Sequence, residues 1–146
     1  MKIDIKKISQ GEESVTIRYA QMTPSIQKII GILRGEKTKL WGRVSDENVC
    51  VELDSVLYLE TVDDRVFAYT SDQVVRIDGS LSSFMDEACD ETFFRCSKSM
   101  VININRVASL RSMSSNRIDA TMENGEHIMI SRRYAVEFRK LLKGDR

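Results

Sequence analysis

The sequence predicts a mainly β fold, an elongated arrangement of small antiparallel β-sheets with short helices, preceded by a small ββα amino-terminal extension. Three observations carry this reading. Short segments alternating apolar and polar residues recur from Lys39 to Ile130, turn-forming residues stand between them, and few stretches have helical periodicity.

The opening MKIDIKKIS spaces Ile3, Ile5 and Ile8 among polar residues, and Ser14–Tyr19 alternates more cleanly, so both read as short strands joined at Gln10–Glu13. Thr23 then supplies an N-cap hydroxyl and Pro24 the first helical position. Ile26, Ile29, Ile30 and Leu33 follow as one apolar stripe on a helix ending near Gly35. This piece is too small for an independent core, so it should pack on the rest of the chain or on a second copy. Strands are expected at Lys39–Val44, Val49–Leu53, Val56–Glu60, Arg65–Tyr69, Gln73–Ile77, Phe93–Cys96, Val107–Ser112, Arg117–Met122 and His127–Ile130. Turns fall at Ser45–Asn48, Asp63–Asp64, Asp78–Gly79, Ser114–Asn116 and Asn124–Gly125, the last an Asn-Gly pair favoured in tight hairpins. Helices are expected over Leu81–Cys89, after Ser80, and over Arg132–Leu142. The best internal boundary is Gly35–Lys39, which divides an extension at 1–36, suited to dimerisation or regulation, from the strand-rich 37–146.

With 42% hydrophobic and 30% charged residues, the chain has the composition of a globular protein that needs neither disulfides nor metal to fold. No apolar run reaches about 18 residues, and the charged start lacks a signal-peptide core, so a cytoplasmic location is expected. Cys50, Cys89 and Cys96 read as reduced thiols. The net charge is zero but strongly divided. Residues 1–45 hold nine Lys/Arg and four Asp/Glu (net +5), residues 46–94 two and thirteen (net −11), residues 95–146 eleven and five (net +6). Such segregation suits a face for a polyanion, unless folding mixes the blocks.

Catalytic constellations are absent. The single histidine, His127, lies on a hairpin strand, and it cannot complete a zinc set with Cys89 and Cys96, which read as small core residues. Phosphate-binding glycine motifs are missing, and the doublets Asp63–Asp64 and Asp86–Glu87 read as a turn and a solvated helix face. Too few residues precede the strands to build a doubly wound receiver domain. No cofactor, metal site or enzymatic activity is expected.

The informative stretch is Phe93–Arg106, FFRCSKSMVININR. Phe93 and Phe94 can anchor one strand and Val101, Ile102 and Ile104 another, with Arg95, Ser97, Lys98 and Ser99 placing cations and hydroxyls between them. These donors suit phosphates and guanine edges. A second cationic group, Ser131–Arg132–Arg133, opens the last helix, where free backbone N–H groups and two guanidinium groups share one anion-attracting end.

On these residues the chain, from about Lys37 to Leu142, resembles the LytTR family of bacterial DNA-binding domains. The matching segments are DSVLYLETVDDRVFAYT, LSSFMDEA, FFRCSKSMVININRVASL and NGEHIMISRRYAVEFRKLL. The frame Phe93, Arg95, Ser99, Asn103 and the distal ISRRY are the most specific features. The resemblance implies three small sheets, and loops rather than a recognition helix entering successive major grooves of double-stranded DNA. It places contacts at Asp64 and Arg65 in the first loop, Ser97 and Lys98 in the second, and Arg133 near the end, with Arg132 adjacent. Where some members carry a histidine-asparagine pair, this chain has Ser97 and Lys98; where some carry a first-loop histidine, it has Asp64, which suits a phosphate poorly. Arg65 is the better first-loop candidate, and Ser99 and Asn103 read as structural.

The resulting expectation is a sequence-specific transcription regulator bound as a homodimer on a repeated site. Arg133, Lys98 and Ser97 read bases; Arg65, Arg95, Arg132 and Lys140 supply charge; Arg95 has the alternative of pointing inward to a carboxylate. Stand-alone members of the family are often encoded beside a small membrane-embedded protein that restrains them, which implies a possible inhibitory partner. The competing reading is a protein-interaction module docking a membrane or cytosolic partner through its acidic middle and the Ile26–Leu33 helix; a small hydrolase or metal enzyme is a third.

Overall fold

A computed structural model describes residues 1–35, 38–88 and 92–144. Its order is α1 (Pro24–Leu33), β1 (Lys39–Val44), β2 (Glu47–Glu52), β3 (Tyr58–Val62), β4 (Arg65–Tyr69), β5 (Val74–Ile77), α2 (Leu81–Ala88), β6 (Phe93–Arg95), β7 (Met100–Asn103), β8 (Val107–Ser112), β9 (Ile118–Met122), β10 (His127–Ile130) and α3 (Arg132–Gly144). β1–β7 form one antiparallel sheet in the order β2-β1-β5-β4-β3-β7-β6, and β8–β10 a second in the order β10-β9-β8. The fold is mainly β, as the periodicities predict.

The alternation of side chains builds two cores from one sheet. Leu59, Val101 and Phe93 face one side, where α2 covers them; Phe84 of α2 meets Phe93 edge-on, ring centroids 5.1 Å apart. Their neighbours Tyr58, Ile102 and Phe94 face the other side, against the small sheet and α3, where the Phe94 and Phe138 rings lie 5.1 Å apart. The adjacent phenylalanines therefore anchor opposite cores. α2 begins where Ser80 predicts: Ser80 Oγ accepts from the Ser83 N–H at 3.0 Å, and Ser83 Oγ from the Ser80 N–H at 2.8 Å.

Several expectations are corrected. Two sheets form rather than three, because the β1–β2 hairpin joins the main sheet beside β5. Gly42 permits this approach, since a Cβ there would collide with Val75 Cγ1 and sit 2.6 Å from the Arg76 carbonyl oxygen. The two amino-terminal strands do not form; residues 1–22 have no sheet pairing, and Ile3, Ile5, Ile8 and Val15 are exposed. A two-stranded hairpin with no surface to cover its apolar side is marginal at best. Of the ββα extension, only the helix is present, capped by Thr23 Oγ1 accepting from the Ile26 N–H. The Asn124–Gly125 turn, by contrast, forms where expected: the Met122 N–H donates to Glu126 O at 2.8 Å and the Gly125 N–H to Met122 O at 2.9 Å, with Gly125 at φ 87°. The expected boundary at residues 36 and 37, and the helix end at Cys89, lie outside the described residues.

Cys96 is fully buried and its thiol is pushed up to about 12, chiefly by burial, whereas Cys50 is exposed. A raised thiol pKa means that the stabilisation from keeping it neutral is complete below its ordinary range near 9 and is lost as pH climbs toward 12. At pH 8 a thiol reagent followed by peptide mapping is therefore expected to label Cys50 and spare Cys96 until the protein is denatured. Equal labelling of both in the native state would contradict the packing.

Candidate nucleic-acid interface

The site is assembled by backbone hydrogen bonds among three connections. β6 and β7 pair from Phe93↔Asn103 to Arg95↔Val101, leaving Ser97–Ser99 as the loop at their tip. The Cys96 and Ser97 N–H groups both turn to the Met100 carbonyl, at 3.1 and 3.4 Å. Arg95 locks this loop. Its Nε donates to Ser97 O at 3.1 Å, one terminal nitrogen to Lys98 O at 2.6 Å, and the other to Ser82 Oγ at 3.1 Å. The inward carboxylate considered for Arg95 is thus replaced by two loop carbonyls and a hydroxyl of α2. Ser99 completes the turn, its N–H donating to Ser97 Oγ at 3.3 Å.

The start of α3 is tied to the same loop. The Ser131 N–H donates to Cys96 O at 2.9 Å, so Ser97–Lys98 and Arg132–Arg133 leave from two hydrogen-bonded residues. Ser131 O then accepts from the Tyr134 and Ala135 N–H groups, which opens the helix. On the other side, the Thr61 N–H donates to Ser99 O at 2.8 Å, bringing the β3–β4 hairpin tip alongside. That tip is a two-residue turn, with Val62 paired to Arg65 and both Asp63 and Asp64 at positive φ (50° and 62°). Asp64 is accounted for here as a residue that tolerates a left-handed backbone; Arg65, just after it, is exposed.

Asp64, Arg65, Ser97, Lys98, Arg132 and Arg133 therefore belong to one end of the molecule. Lys98, Arg132 and Arg133 are exposed, and the Arg133 guanidinium lies 5.4 Å from the Tyr134 ring centre. Lys140 does not join them. It sits seven residues along α3 from Arg133, about 10 Å by helical rise, on an outer face shared with Val136, Arg139 and Lys143. Asn103 lies behind the site, almost fully buried, donating to Val56 O at 2.8 Å and accepting from the Asn105 N–H at 3.0 Å. His127 is exposed on β10 and bonds Asp119, Nδ1 to Oδ2 at 3.0 Å. Sequence reasoning missed the clamps, Cys96 O, Thr61 N–H and Ser82 Oγ; two are backbone groups, for which no side-chain pattern exists.

Residues 46–143 match the family model described as the LytTr DNA-binding domain. The chain belongs to the LytTR family. Among solved structures, a LytTr DNA-binding domain from Bacillus cereus superimposes with a TM-score of 0.70 at 27% identity, covering 73% of this chain and 98% of that one. The sensory transduction protein LytT of Bacillus subtilis is 28% identical over 104 residues, 71% of this chain and 43% of its own. The LytT of Bacillus cereus is 25% identical over 108 residues, 74% and 44%, and the transcriptional regulatory protein YpdB of Escherichia coli 24% over 101 residues, 68% and 41%. The chain spans less than half the length of these three relatives. The family match begins at residue 46, inside the span from about Lys37 that the motifs indicate. The matched family is a DNA-binding domain, so DNA is the ligand class of residues 46–143. No helix among the described residues is long and apolar enough to cross a membrane.

Arg95→Ala is expected to leave the fold intact but to weaken DNA binding by about 1–2 kcal/mol on every sequence, since loop carbonyls lose their donors and the loop its single conformation. Binding isotherms on several duplexes check this. A loss confined to one base pair would show that Arg95 reads DNA itself.

Proposed function

We propose that this LytTR chain is a sequence-specific double-stranded DNA-binding transcriptional regulator whose connections enter successive major grooves, two copies occupying a repeated site. The observation that carries this is the Ser131–Cys96 hydrogen bond, which sets the Lys98 loop and the Arg132–Arg133 helix start side by side. Held on rigid backbone, these cations meet a duplex without first being ordered, which lowers the cost of binding.

In this reading Lys98 and Arg133 contact guanine edges or phosphates, Ser97 adds a hydroxyl, and Arg132 and Arg65 bind phosphate. Arg95 shapes the loop and Asp64 the first turn. Lys140 supplies charge at longer range along α3. Two-copy binding is supported by the apolar surface that the amino-terminal segment leaves uncovered: Ile29, Ile32 and Leu33 of α1 and Ile3, Ile5 and Ile8 before it are all exposed. A membrane or cytosolic partner at that surface is the alternative occupant.

A gel-shift with DNA from the upstream region of the protein's own gene, in excess unrelated competitor, tests the reading. A retained specific complex with the mass of two chains is expected. If about four phosphates are neutralised, log K falls against log salt with a slope of roughly −3.6. Complete loss of the complex to competitor DNA would reduce the chain to a non-specific binder.

A further inference from the structure

Among the described residues, one face of the seven-stranded sheet is exposed at Trp41, Arg43 and Arg76. Over β3, β7 and β6 this face carries Tyr58, Ile102 and Phe94 into the second core. It continues across β4, β5 and β1 as Phe67, Arg76 and Arg43, in direct register as Phe67↔Arg76 and Arg76↔Arg43. Ile77 pairs with Val66 at the tip end of β4, and β1 runs antiparallel to β5. Trp41, two residues before Arg43, therefore lies toward that tip, on the same face and level with Arg65. Trp41 is the only tryptophan of the chain and is 63% exposed.

This arrangement is electrostatically unfavourable by itself. Like charges facing each other across a strand pair repel, and among the described residues neither Arg43 nor Arg76 forms an ion pair. They line a shallow depression of about 340 Å³ with Trp41, Asn48 and Asp78, the last its sole carboxylate. Trp41 and Arg43 also precede residue 46, where the family match begins. The patch therefore includes residues beyond the matched domain.

We propose that Arg43 and Arg76, with Trp41 beside them, form a second nucleic-acid contact that holds the sugar–phosphate backbone of the duplex as it runs past the loop site. The inference rests on duplex DNA being the ligand of the loops. Two guanidinium groups fixed on neighbouring strands suit phosphate oxygens, and the indole ring suits the apolar side of a deoxyribose. Position favours DNA over an acidic protein: Arg65 lies on the same face, between the patch and the hairpin whose Thr61 bonds Ser99, so a duplex held at the loops runs toward the patch past the carboxylates of Asp63, Asp64 and Asp78.

The test uses two duplexes from the upstream region, one limited to the loop footprint and one extended by about ten base pairs, one helical turn, at each end. On the extended duplex, acrylamide quenching of Trp41 in the full chain is expected to fall about twofold or more, while the short duplex leaves it unchanged. Arg43→Ala with Arg76→Ala should lower the salt slope on the extended duplex by about 1.8, two phosphates at 0.9 each, and leave the short duplex unaffected. Equal quenching on both duplexes, or an unchanged slope in the double variant, overturns the proposal. So does shielding of Trp41 without DNA in a species of twice the chain mass, which would make a second copy the occupant. Lys98→Ala and Arg133→Ala on the short duplex test the loop site separately: unchanged binding there overturns the loop reading and this proposal with it, whereas weakened binding there with an unchanged slope in the Arg43/Arg76 variant overturns this proposal alone.

Discussion

Phe138→Ala is expected to cost about 3–5 kcal/mol of folding stability, the largest effect of any single truncation in the carboxy-terminal helix. Phe138 is 1% exposed, against Phe94 and within the core that holds Ile130, Met122 and Ala135. With Ala135, Tyr134, Leu141 and Leu142 it fastens α3 to the sheet, and it is the largest fully buried side chain of that helix. Removing the ring takes away its transfer energy and leaves a cavity that a close-packed interior fills poorly. Against a typical total of about 5–15 kcal/mol for a domain, the loss is large. Urea denaturation measures it directly. Because α3 begins at the site, DNA binding should weaken even where the variant is still folded. A cost below about 1 kcal/mol would mean that α3 is not integrated with the sheet.

The second large effect concerns the loops. Arg133→Ala is expected to weaken binding to the specific duplex by about 1–3 kcal/mol and to relax preference at one base pair, as for loss of a bidentate guanine contact. Lys98→Ala should cost a similar amount. An equal loss on all sequences would assign either residue to phosphate positioning alone. Since the Cys96–Ser131 hydrogen bond makes the two connections neighbours, the double variant should depart from the sum of the singles. Strict additivity would indicate that the two side chains act on separate stretches of DNA.

The parts of the fold legible in the sequence are those set by local chemistry. β1, β4, β8 and β10 begin and end where alternation and turn residues place them, and α1 and α2 start at their hydroxyl caps. What was not legible depends on partners distant in sequence. The joining of β1 to β5 hangs on a missing side chain at Gly42, and nothing around that glycine announces its neighbour. The amino-terminal alternation is real, but pattern alone cannot supply the surface a strand must pair with. At the site, residue types pointed to the cations, whereas the geometry that unites them runs through Cys96 O, Thr61 N–H and the guanidinium of Arg95. The Asp63–Asp64 pair also shows how charge can mislead: these acids at a basic end satisfy a two-residue turn of positive φ.

Amide chemical-shift mapping, as the upstream duplex is added to labelled protein, shows whether three connections meet one duplex together. Arg65, Ser97, Lys98, Arg132 and Arg133 are expected to shift in parallel with a single saturation point, while Asp72 and the Asn124–Gly125 turn stay in place. Shifts at only one of the three connections, or centred on the Asn124–Gly125 turn, would contradict it.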